Sequence, residues 1–127
     1  MTAGSMQPHF TLAEARDLLP TLRANADRIV ALRADLADAS AALRSGIQPA
    51  GGLPEVKALE AHLQERIDWF AARGIQLKGV APLIIDLPSE LDGEPVLLCW
   101  LEGETRLGWY HPAATGFMGR RRLPDSL

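Results

Sequence analysis

The chain has 127 residues, 47% of them hydrophobic and 23% charged, with a formal net charge of −3. That is enough for one ordinary domain, taken here as residues 1–127, with its own apolar core. It excludes an internal disulfide, because Cys99 is the single cysteine, and it lacks the basic excess on which nucleic-acid binding leans. No apolar run is long enough to span a membrane. The opening MTAGSMQPHF has neither the basic nor the apolar region of a secretion signal, so a reducing cytoplasm is the expected location.

Residues 1–9 carry no periodicity and are expected to be mobile. Thr11 and Glu14 have the spacing of a capping box, with Phe10 where a hydrophobic staple would sit. A short leading helix is predicted from Leu12 to about Leu19, with a kink or break at Leu19–Pro20 because proline lacks the backbone N–H. From Thr21 to Arg44, Leu22, Ile29, Leu36 and Leu43 recur every seven residues. Leu18, Asn25, Leu32 and Ala39 fill the alternate seam position, the pattern of a helix packed against another long helix.

Residues 45–53, SGIQPAGGL, read as a loop. A second helix is predicted from Pro54 to Arg73, with Gly74 as its left-handed terminator. Val56, Leu59, Leu63, Ile67 and Phe70 lie on one face of it. The two helices predict an antiparallel hairpin whose apolar surface exceeds what two helices hide from each other. The excess must pack on a sheet, on a second copy, or on both.

The remainder, residues 75–111, reads as strands. A short strand is predicted at Ile75 to Gly79 and another at Pro82 to Leu87. In the second, Leu83, Ile85 and Leu87 face one way and Ile84 and Asp86 the other, and Pro88 ends it. Asp92-Gly93 is a turn signal. Val96 to Leu101 is apolar on both faces, as a central strand would be. Glu102-Gly103 is a second turn signal, and Thr105 to Tyr110 is expected to return as a hairpin partner. The fold class is therefore α+β: a long helical hairpin with a short leading helix, packed on an antiparallel meander of three to four strands.

Residues 112–127 form a Gly/Arg-containing loop and tail. His111 follows the last predicted strand. Gly116-Phe117-Met118-Gly119-Arg120 offers flexible backbone and a guanidinium, a pattern able to wrap a small anion. With Asp86, Glu104, Lys78 and Trp109, these residues make a candidate ligand-binding set: His111, Arg120, Asp86, Glu104, Lys78 and Trp109. His111, Asp86 and Glu104 could alternatively hold an oxygen-loving divalent ion, although no spacing rule supports it. The competing readings are structural: a hydrogen-bonded histidine, glycines that shape a loop, and an inert core thiol at Cys99. Arg120–Arg122 reads as a solvated basic tail. No phosphate loop, paired metal ligands or nucleophile elbow is present, so no catalytic residue, cofactor or reaction is assigned.

The chain resembles the prokaryotic family known as domain of unknown function 2203. The resemblance rests on Phe10, Thr11, Glu14, Ala15, Leu18, Leu19 and Pro20, then on Gly74, Lys78, Gly79, Asp86 and Pro88. It continues through Leu98, Cys99, Trp100, Gly103, Glu104, Trp109, His111, Gly116, Gly119 and Arg120. It implies no activity, cofactor or partner, but it implies that Asp86, Glu104, His111 and Arg120 form one constellation. Relatives tend to carry acids just after the histidine, where this chain has Pro112, Ala113 and Ala114. Function is expected to be a non-enzymatic binding or assembly module, a homodimer through its helix seams. The alternative is a small ligand-binding protein or enzyme with an anion or cation site at His111, Arg120, Asp86 and Glu104.

Overall fold

The computed structural model describes residues 9–124. The mobile start expected for residues 1–9 therefore falls, up to residue 8, outside the described residues, as does the tail beyond residue 124. Helix α1 spans Leu12–Arg44 and α2 spans Gly52–Ala71. Strands β1 (Gln76–Val80), β2 (Leu83–Leu91), β3 (Glu94–Leu101), β4 (Trp109–Pro112) and β5 (Arg121–Arg122) follow. The class is α+β, with a five-stranded antiparallel sheet where three to four strands were expected. The added strand is the short β5. Neither helix is long and apolar enough to cross a membrane.

The expected caps form. The Thr11 N–H donates to Glu14 Oε1 at 2.8 Å and the Glu14 N–H donates to Thr11 Oγ1 at 3.0 Å, so two exposed amides at the head of α1 are satisfied reciprocally. Helix α2 is closed off by Gly74, whose φ of 74° is left-handed. Ile75 N–H there returns to the Phe70 carbonyl and Gly74 N–H to that of Ala71, a Schellman closure that glycine makes without steric cost. Gly46 closes α1 in the same way, with φ 73° and Ile47 N–H on the Ala42 carbonyl.

The predicted break at Leu19–Pro20 does not occur. Helix α1 is continuous, with Pro20 inside it. Proline removes one helical hydrogen bond, while the turns on either side bury Ala15 and Leu22, which holds the path. Near that point, however, the chain divides into two compact units: Leu22–Trp69, and the residues before and after it.

In the Leu22–Trp69 unit, the seam of α1 is buried at Leu22, Asn25, Ala26, Ile29, Leu32 and Ala39. The Arg66 guanidinium donates to Asn25 Oδ1 at 2.9 Å, which ties the early part of α1 to the late part of α2. Burial fades towards the interhelical loop, where Leu43 is 53% exposed. Helix α2 begins at Gly52 rather than Pro54, so Pro54 lies inside the first turn, where proline is tolerated.

In the other unit the strands run in the order β1-β2-β3-β4-β5. Asp92 and Gly93 both have positive φ, 52° and 80°, and close a two-residue hairpin of the right-handed twist. Pro88 does not end β2; it pairs with Leu97. Its carbonyl accepts the Phe10 N–H at 2.8 Å, so the polar side of its backbone faces away from β3 and its missing N–H breaks no β2–β3 bond. The expected return strand from Thr105 is also corrected. Residues 102–108 form a connection, and β4 starts at Trp109, which places His111 within the strand. Glu102 draws that connection in, its Oε1 accepting the Leu83 N–H at 3.0 Å.

Candidate functional site

Strand register builds the site. Asp86 pairs with Cys99 across β2 and β3, Cys99 with Trp109 across β3 and β4, and Leu97 with His111. Side chains two apart on a strand share a face, so Asp86, Cys99, Trp109 and His111 belong to one face of the sheet. The opposite face carries Leu83, Ile85, Leu87, Leu98 and Trp100, all buried. Alternation thus separates a greasy row from a polar one within the same strands.

The polar row is sealed. Asp86 is 1% exposed and Cys99 and His111 are 0% exposed. His111 Nε2 lies 3.0 Å from Asp86 Oδ2, and Lys78 Nζ donates to that same oxygen at 3.1 Å. Lys78 sits at an irregularity of the β1–β2 register between Leu77 and Gly79. His111 Nδ1 lies 2.8 Å from the Pro112 carbonyl. A carbonyl only accepts, so Nδ1 carries a proton, and a further proton must lie between Nε2 and the carboxylate. Asp86 Oδ1 is buried with no hydrogen-bond partner among the described residues. The Cys99 thiol stands beside the carboxylate; the potential ligand atoms of Asp86, Cys99 and His111 all lie within 4.8 Å of one another. Burial first, and the Asp86 charge second, push this thiol up from 9.0 to about 12, with the Arg120 guanidinium pulling the other way.

Glu104 and Arg120 make a second, adjoining pair. Arg120 Nη2 donates to Glu104 Oε1 at 2.7 Å and to the Cys99 carbonyl at 3.2 Å. Glu104 Oε1 also accepts the Leu101 N–H at 2.7 Å, and its carbonyl accepts the Trp100 indole N–H at 3.0 Å. The guanidinium carbon lies 4.8 Å from the centroid of Trp109 and 5.0 Å from that of Phe117. Arg120 is therefore enclosed by an acid, a carbonyl and two aromatic faces, which holds the C-terminal loop against the sheet.

All six expected residues fall in this region, in two groups. Asp86, His111 and Lys78 share one oxygen, while Glu104, Arg120 and Trp109 form the other cluster. Glu104 is engaged with Arg120 rather than with His111 and Asp86, and Cys99 takes its place beside them. The glycine loop is folded on itself: Gly119 N–H donates to the Gly116 carbonyl and Arg120 N–H to that of Phe117. A Cβ on Gly119 would collide with the Thr115 side chain. Those two amides face inward and are not presented to an anion.

Basic side chains collect elsewhere. A hollow of about 400 Å³ is lined by Arg16, Arg106 and Arg122 over Leu19, Leu107 and Leu123, with no acidic side chain among the described residues that line it. The sequence reading did not single out Arg16 or Arg106, because nothing in their spacing brings them together.

A family model described as "Uncharacterized conserved protein (DUF2203)" matches residues 9–123. The chain belongs to this family. The span matched to DUF2203 takes in the capping box, Asp86, His111, Glu104 and Arg120, and so both polar groups. No curated protein and no solved structure matches the chain.

Proposed function

We propose that this DUF2203 chain is a non-enzymatic binding and assembly module that pairs with a second copy of itself through the helical hairpin. The observation that carries the reading is uncovered apolar surface near the interhelical loop. Leu43, Ile47 and Leu53 are 53%, 61% and 60% exposed there. Val56, Leu59, Leu63 and Ile67 continue the row along α2 and are only partly buried. A hollow of about 360 Å³ beside them has Ala39, Ala42, Val56 and Leu59 in its lining. Water in contact with such surface favours its burial, and an isologous contact would cover the same patch on both copies. The burial of Asp86, Cys99 and His111 supports the non-enzymatic part of the reading, since an organic substrate would have to displace the Lys78 side chain from the carboxylate to reach them. A reducing cytoplasm suits the lone buried thiol.

Sedimentation equilibrium at tens of micromolar tests this. The wild-type chain is expected to be a dimer. A double substitution, Ile47→Asp with Leu53→Asp, should convert it to a monomer with helicity intact, because both side chains are exposed and their loss costs the fold little. A fully helical wild-type monomer at that concentration would overturn the reading.

A further inference from the structure

We propose that Asp86, Cys99 and His111 are the protein ligands of a binding site for a divalent cation of the zinc type. The site lies on the sheet and stands independently of whether the hairpin self-associates.

Donor chemistry selects the ion class. A carboxylate oxygen, an imidazole nitrogen and a thiolate sulfur suit a borderline-soft cation, whereas magnesium and calcium favour all-oxygen sets. The expected oxygen-rich trio of His111, Asp86 and Glu104 gives way to one containing sulfur, because Glu104 is engaged by Arg120. Geometry fits as well. The three donor atoms lie within 4.8 Å of one another. Bonds of about 2.0–2.3 Å around one tetrahedral ion need separations of about 3.3–3.8 Å, so a closure of roughly an ångström assembles the site.

Three further features point the same way. Asp86 Oδ1 is buried and lacks a hydrogen-bond partner among the described residues, as expected of an atom made to meet a cation. The Pro112 carbonyl at 2.8 Å fixes His111 Nδ1 as the protonated nitrogen and turns Nε2 towards Asp86, the outer-shell device that orients metal-binding imidazoles. Lys78 marks the route in. Its side chain is 44% exposed, yet its Nζ reaches the buried carboxylate, so the ammonium occupies a place for positive charge that a dication can take. Binding would replace the proton between Nε2 and the carboxylate and the proton of the thiol. A dication with one thiolate and one carboxylate is then neutral within the buried shell.

The test uses the full chain, freed of metal and titrated with cobalt(II), then with zinc(II) in competition. The expected result is saturation at one equivalent with a thiolate-to-cobalt charge-transfer absorption, removed by zinc. Cys99 is the single cysteine, so such a band has one possible origin, and the wild-type spectrum decides the matter even if ligand variants fail to fold. Cys99→Ser should abolish the band. His111→Gln should weaken zinc binding at least as much as loss of an outer-shell partner does, ~10–100-fold. His9→Ala and His62→Ala, both at exposed positions, should leave it unchanged. A cobalt spectrum without sulfur ligation at saturation, or zinc affinity unchanged in folded Cys99→Ser and His111→Gln, would overturn the proposal.

Discussion

Arg120 shows how a charged side chain can be held largely inside a small domain. Its side chain is 13% exposed and its partner Glu104 22%, and it lies over two aromatic rings. Arg120→Ala strips the acid of its counter-charge and the loop of its anchor, and should cost about 1–3 kcal/mol in urea unfolding. Arg120→Lys should recover only part of this, since an ammonium restores the charge but not the planar stacking. Cys99 makes a prediction about pH. Its folded value of about 12 stands above the ordinary 9.0, so between those values the unfolded chain holds fewer protons than the folded one. Stability is therefore fully present below about pH 9 and falls as pH rises towards 12. Compared with metal-free wild type, Cys99→Ala should show a flatter decline in alkaline unfolding curves. A thiol reagent at neutral pH should leave the folded wild-type protein unmodified.

At the scale of elements, the two prolines mark where local rules met tertiary context. Pro20 is exposed and lies inside a helix that continues past it. Pro20→Ala supplies the missing N–H and should raise stability by ~1–3 kcal/mol in thermal or urea unfolding. A destabilised variant would mean that the proline shapes the path of α1. The capping box is a purely local device, and Thr11→Ala should cost about 1 kcal/mol. Much of the candidate site was legible in one turn. Asp92-Gly93 closes a two-residue hairpin, so residues equidistant from it must pair: Leu91 with Glu94, and hence Asp86 with Cys99. Ending the strand at Pro88 hid that pairing and left Cys99 as an inert core thiol. His111 could not be placed the same way. The connection over residues 102–108 is long enough to leave the β3–β4 register undetermined by turn chemistry.

At the scale of the molecule, protection should differ sharply between regions. Strand β3 is buried from Val96 to Trp100 and hydrogen-bonded on both sides, whereas residues 43–53 expose three large apolar side chains. Hydrogen exchange should be slowest in β2 and β3 and fastest across the interhelical loop. Dimerisation through the hairpin would slow exchange in that loop as protein concentration rises, giving a second measure of self-association. The sequence by itself determined the α+β class, the two capped helices and the Asp92-Gly93 hairpin. Those features follow from periodicity, caps and turn residues, which act over a few neighbours along the chain. Tertiary structure alone decided that α1 runs through Pro20, that Glu104 partners Arg120, and that His111 joins Asp86 and Cys99. Such choices depend on which side chains meet across strands far apart in sequence, where burial and pairing override local preference.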